Sequence, residues 1–220
     1  MKEQRTIDNN SLSHIIAEKI TEQIMTGELK PGEKVVETVY ADEFGTSRAP
    51  IREALYLLTI EGLIERTPRK GATVKGYTEA EIYDLLEIRM MLEALAMERI
   101  AVMPAEEICV DKMEKLIPEM EKAEQDNIEY AKLNQEYHLA LIEMTKSEII
   151  KGMYSRLGLP LLSLQRMTFL EEKNTHKSVR EHRLINKLLR EHNVAEAKDV
   201  LQKHNADVIE RVKSKLSKKE

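Results

Sequence analysis

Three histidines draw attention because each sits on an apolar stripe at helical spacing. His138 shares a face with Ala131, Leu141 and Ile142, and Asn134 lies one turn before it. His182 aligns with Val179, Ile185 and Leu189, and His204 with Val200, Leu201 and Val208. His14, His176 and His192 fall instead on surface or helix-end positions. An imidazole on a core-facing stripe either hydrogen-bonds within the core or ligates a metal, and neutral imidazole suits Zn, Ni, Fe and Mn. Three imidazoles with one oxygen donor leave coordination positions open for water or a ligand. Arg89 and Glu93 pose a related question, since they interrupt the stripe Ile82, Leu85, Leu86, Ala96 and Ile100. Charges on an inward face need partners. Two arrangements provide them: the pair bridges at i,i+4, or Arg89 faces a cavity and binds an anion.

A second chemistry is concentrated near residue 50. Thr46-Ser47-Arg48-Ala49-Pro50-Ile51-Arg52 places hydroxyls and two guanidiniums in the first turn of a helix. Arg48 and Arg52 are one turn apart and project to the same side. Arginine binds guanine O6 and N7 bidentately, whereas hydroxyls and helix-start N–H groups hold phosphates. Between Arg66 and Lys75 stand four cations, including Arg69 and Lys70, and no carboxylate. The cations therefore cluster at a helix start and a hairpin tip, the footprint of a duplex-binding edge.

Elements that could present these groups follow from the pattern. Residues 11–26 form a helix with Leu12, Ile16, Ile20 and Ile24 on one face, stopped by Gly27. After the turn Lys30-Pro31-Gly32-Glu33, a short helix spans about 36–44. Ser47 caps a third, which runs to about Glu61 and buries Ile51, Ala54, Leu55 and Leu58. Residues 63–66 and 72–75 make a β-hairpin. Three helices and a hairpin describe a winged helix-turn-helix, whose recognition helix reads bases with its N-terminal residues.

Gly and Pro punctuation thins after Gly76, and Thr78 with Glu81 forms a capping box. The boundary is placed there: residues 1–76 bind DNA and residues 77–220 form an antiparallel all-helical bundle of about six helices. These are expected at about 78–102, 105–125, 127–146, 147–170, 176–192 and 194–217, with Pro160 kinking the fourth. Asn174-Thr175 is taken as punctuation before the fifth. The fold class is mainly α.

Composition agrees and excludes other classes. The chain has 220 residues, 42% of them apolar and 33% charged, with 8 Gly and 6 Pro, which fits a folded helical protein. No apolar run approaches the roughly 20 residues of a membrane helix, so no membrane partner is expected. The lone Cys109 builds neither a disulfide framework nor a cysteine-rich zinc site and points to a reducing, cytoplasmic compartment. At a net charge of −5 the protein is no general nucleic-acid coat.

Residues Gly27–Gly71 resemble the winged-helix domain of the GntR family of bacterial transcription regulators. The matching motifs are Ile24-Met25-Thr26-Gly27-Glu28-Leu29-Lys30-Pro31-Gly32-Glu33, Ser47-Arg48-Ala49-Pro50-Ile51-Arg52-Glu53-Ala54-Leu55 and Glu61-Gly62-Leu63-Ile64. The resemblance implies that Ser47, Arg48 and Arg52 contact operator DNA and that Lys70 and Gly71 enter a minor groove at the wing tip. Ala49 stands where the family often has Thr. Residues 78–210 resemble the all-helical FCD ligand-binding domain of the FadR subfamily, in its shorter VanR-type branch. That resemblance implies a divalent-metal set at Asn134, His138, His182 and His204, with Arg89 at the rim of the effector cavity. Asn134 departs from the family's usual Asp, which removes one negative charge from the set.

Together these readings imply a homodimeric regulator, a repressor in the commoner outcome, that binds a palindromic operator. It would sense a small organic carboxylate in a pocket that can hold Zn, Ni, Mn or Fe. Two alternatives are a metal-dependent enzyme and a constitutive DNA-binding protein with a vestigial pocket. Against an enzyme, the sequence has no nucleophile constellation and no Gly-rich phosphate loop. Only Asp207, at the edge of the His204 face, offers itself as a general base.

Overall fold

The computed structural model describes residues 12–67, 71–162 and 172–216. The chain divides into two compact units, Met1–Gly76 and Tyr77–Glu220.

In the first unit α1 (Leu12–Thr26) packs on α3 (Arg48–Ile60), with α2 (Glu37–Glu43) against α3. Ile16, Ile20, Ile51, Ala54, Leu55 and Leu58 form the floor of the core. The buried face of α1 is rotated from the expected stripe. Leu12 is exposed, while Ser13, Ala17, Gln23 and Met25 are buried. Gln23 is held inside by accepting the Tyr40 hydroxyl and donating to Glu28.

The hairpin consists of β2 (Ile64–Thr67) and β3 (Gly71–Val74), paired antiparallel with Arg66 opposite Ala72. A third strand, β1 (Lys34–Val35), joins its far edge in the order β1-β3-β2, setting Lys34 opposite Thr73 and Val35 opposite Ala72. Sequence patterning missed β1, because two residues show no period and their partners lie almost forty positions away. Gly62 at φ 76 lets the chain reverse after α3, with Leu63 N–H bonded to the Leu58 carbonyl.

The second unit is a helical bundle. Its α4 (Glu79–Ile100) starts at the Thr78–Glu81 capping box, both halves of which form. A 3-10 turn (Ala105–Glu107) precedes α5 (Asp111–Lys122), which begins later than patterning suggests and contains Pro118. Next are α6 (Asn127–Glu143), capped by Asp126, and α7 (Glu148–Ser155), capped by Ser147. The helix expected over 147–170 breaks at residues 156–157 and resumes at 158–162. Pro160 thus sits in a new first turn, where its missing N–H is harmless, and no kinked continuous helix forms.

Two long helices close the bundle, α8 (Glu172–Arg190) and α9 (Val194–Leu216), packed on each other. Asn174 and Thr175 do not mark a boundary. They lie inside α8, buried, where the Thr175 carbonyl accepts the Tyr130 hydroxyl. Tertiary partners override their turn preference. Among the described residues no helix is long and apolar enough to cross a membrane.

Candidate functional site

Helices α6, α8 and α9 bring His138, His182 and His204 together. All three are at most 1% exposed, and one ring nitrogen from each lies within 4.8 Å of the others. Ring centroids are 5.1, 5.4 and 4.9 Å apart. Five ring nitrogens have no hydrogen-bond partner: both of His138, both of His182 and Nε2 of His204. Buried polar atoms rarely go unsatisfied. The three rings form a cluster that could hold a divalent cation with nitrogen ligands.

Carboxylates stand behind two of the rings. Glu181 Oε2 lies 2.8 Å from His204 Nδ1, which directs His204 Nε2 toward the other histidines. Glu93 Oε1 approaches His138 Nδ1 to 3.1 Å, off the line of a hydrogen bond. Carboxylates so placed orient imidazole ligands and raise their basicity. Tyr137 stacks on His182 with ring centroids 3.9 Å apart, and its hydroxyl donates to Asn186 at 2.7 Å. Burial drives His138 down to about 4, helped by the Arg89 charge, and holds His182 well below its ordinary value. Both rings are therefore neutral at physiological pH, the state that ligates metal.

Glu93 is the hub of a buried network. Its carboxylate accepts from Arg89 Nε at 2.8 Å, the Tyr154 hydroxyl at 2.8 Å and Asn205 Nδ2 at 2.6 Å. Burial alone would raise its pKa. Arg89 and then His138 outweigh that and hold it well below the usual carboxylate range. Of the two arrangements considered for Arg89, the i,i+4 pair with Glu93 forms through Nε, and Nη2 is buried without a hydrogen-bond partner. Asn134 is 1% exposed and one turn before His138, with Ser178 Oγ at 3.5 Å from its Oδ1.

Sequence reasoning missed Glu93's contact with His138 and Glu181's with His204, because each joins different helices. Asp207, the one acidic candidate from sequence, pairs with Lys177 instead.

In the first unit Ser47, Arg48 and Ala49 are exposed at the start of α3, and Arg52 follows one turn later, also exposed. Ser47 occupies the N-cap position, yet its hydroxyl makes no cap bond. Thr46 is half-buried, its N–H bonded to the Ala41 carbonyl. Gly71 opens β3 at φ 92 and is exposed, whereas Arg69 and Lys70 lie outside the described residues.

A three-helix unit with a small wing sheet, followed in the chain by a helical bundle with a buried ligand-type cluster, defines a DNA-binding regulator with a sensing domain. The comparisons make this specific. Residues 12–74 match the profile described as bacterial regulatory proteins, gntR family, and residues 84–207 match the FCD domain. The chain is 30% identical over 189 residues to the HTH-type transcriptional regulator YdhC of Bacillus subtilis, covering 84% of each. It is 26% identical to LutR of the same organism, covering 84% of this chain and 94% of that one. A GntR transcriptional regulator from Rhodococcus sp. RHA1 shares the fold, with a TM-score of 0.80 at 16% identity over 93% of this chain and 99% of that one. The protein belongs to the GntR family and carries an FCD domain. It is a transcription regulator and not an enzyme.

Proposed function

We propose that this protein is a homodimeric repressor that releases or rearranges on a palindromic operator when a small carboxylate enters the bundle. The observation that carries the sensing half is the set of five buried imidazole nitrogens that make no hydrogen bond, with carboxylates behind two of the three rings. In this reading His138, His182, His204 and the Asn134 amide oxygen hold a divalent Zn, Ni, Mn or Fe. When bound, such a metal would supply Lewis acidity toward an anionic effector, and Arg89 Nη2, buried without a hydrogen-bond partner, would donate to a carboxylate oxygen. Effector and operator then alter each other's affinity by one common factor.

Elemental analysis and native mass spectrometry of the purified protein test this directly. A retained divalent metal with a bound small acid is expected. Loss of neither metal nor melting temperature on chelation, with no acid shifting that temperature, would favour a constitutive DNA-binding protein.

Asn134→Asp places an anionic oxygen one turn from His138. Metal affinity measured by calorimetry should rise, and more for Mn than for Ni, because Mn is the harder ion. Equal affinity in both proteins would show that Asn134 does not face the metal.

In the DNA-reading half Thr46, Ser47, Arg48, Ala49 and Arg52 face the major groove, with Arg69, Lys70 and Gly71 at the wing. Arg48→Ala should cost about 1–3 kcal/mol at the cognate operator, the scale of one bidentate base contact. Fluorescence anisotropy against operator and random duplex checks it. An unchanged affinity ratio would remove Arg48 from base reading.

A further inference from the structure

Glu37 opens α2 at the place where α3 and the wing strand β2 approach it. Its Oε2 lies 2.8 Å from Arg52 Nε, and its Oε1 lies 3.9 Å from Arg66 Nη2. The carboxylate is 27% exposed, whereas Arg52 and Arg66 are 58% and 41% exposed. No ion pair joins Arg48 to any described carboxylate. An exposed ion pair of this kind contributes little to stability. A first-turn carboxylate also favours its own helix dipole, which is the purely structural role open to Glu37.

The atom that Glu37 engages points to more. Arginine is a five-donor fork on a long, freely rotating stem. Anchoring Nε restrains the guanidinium plane and leaves both terminal nitrogens unused by Glu37 on a side chain that is 58% exposed. That end-on pair is the edge that forks onto guanine O6 and N7. A carboxylate beside two exposed arginines also repels phosphate and weakens the sequence-independent contacts those arginines would otherwise make.

We propose that Glu37 is a positioning residue for operator reading: it makes Arg52 a reader of bases and restrains Arg52 and Arg66 from binding phosphate indiscriminately. This rests on the assignment of α3 as the recognition helix.

The test uses the full chain, sequencing the duplexes that it selects from a randomised DNA pool. Glu37→Ala, which removes both the charge and the acceptor, should relax preference at one position of each half-site by about tenfold, the order of one base contact. Binding to random duplex should tighten, with a salt slope steeper by about one phosphate contact. Melting temperature should change little, because the ion pair is exposed. Arg52→Ala should relax the same position, and adding Glu37→Ala to it should relax that position no further. The proposal is overturned if Glu37→Ala selects the wild-type motif, if it relaxes that position further in the Arg52→Ala background, or if it weakens all sequences evenly with a lower melting temperature. Arg52→Ala distinguishes the two failures. If it too leaves the motif intact, the assignment of α3 falls. If it relaxes the motif and Glu37→Ala does not, only the role of Glu37 falls.

Discussion

Glu93→Gln should destabilise the sensing unit by about 3–5 kcal/mol, the cost of leaving one partner of a buried ion pair without its counter-charge. Arg89 is 2% exposed, so its guanidinium cannot turn to water. Burial opposes its charged form, and Glu93 followed by Tyr154 reverses that and raises its pKa. A Gln amide could still accept from Arg89 Nε, but its NH2 would then meet Asn205 Nδ2, a second donor. Replacing both members by apolar residues, Arg89→Met with Glu93→Leu, should recover most of the loss, because no charge is left buried. Urea titration of the three proteins decides the matter. A loss below about 1 kcal/mol in Glu93→Gln would match an exposed pair and contradict the buried hub.

His182→Ala should lower divalent-metal affinity by more than about 100-fold, beyond the upper end of what removing an outer-shell partner costs. His182 is fully buried on α8, about equally far from His138 and His204, and no other described His, Cys, Asp or Glu joins their cluster. Calorimetric titration of the chelator-treated protein measures the loss. Its pH dependence carries a sign. Burial and the Arg89 charge hold His138 down to about 4, and burial holds His182 well below its ordinary value, so neither ring has a proton to displace near neutrality, and acidification that protonates them should weaken binding. Retained affinity in His182→Ala would mean that the metal lies elsewhere.

Helix existence and most buried faces, though not that of α1, were legible because they depend on neighbours three and four residues apart. The capping box at Thr78 and Glu81, the stop at Gly27, and the α6 face of Ala131, Asn134, His138, Leu141 and Ile142 are all local patterns. The resemblance to a regulator family was legible for the same reason, since its motifs are contiguous runs. Misreadings arose wherever a distant partner outweighed local preference. Asn174 and Thr175 read as a break until α6 supplied a hydrogen bond that keeps them inside α8. The pair Lys34–Val35 became a strand only because β3 lay beside it.

The candidate site divides along the same line. Local pattern was enough to single out the candidate residues: three imidazoles on inward faces, a charged pair within an apolar stripe, and arginines one turn apart at a helix start. Tertiary structure alone decided how they are wired. Glu93 comes from α4 to His138 on α6, Glu181 from α8 to His204 on α9, and Glu37 from α2 to Arg52 on α3. Helical periodicity tells which way a side chain points, whereas packing between helices fixes what it meets, and a charge takes its pKa and its role from what it meets.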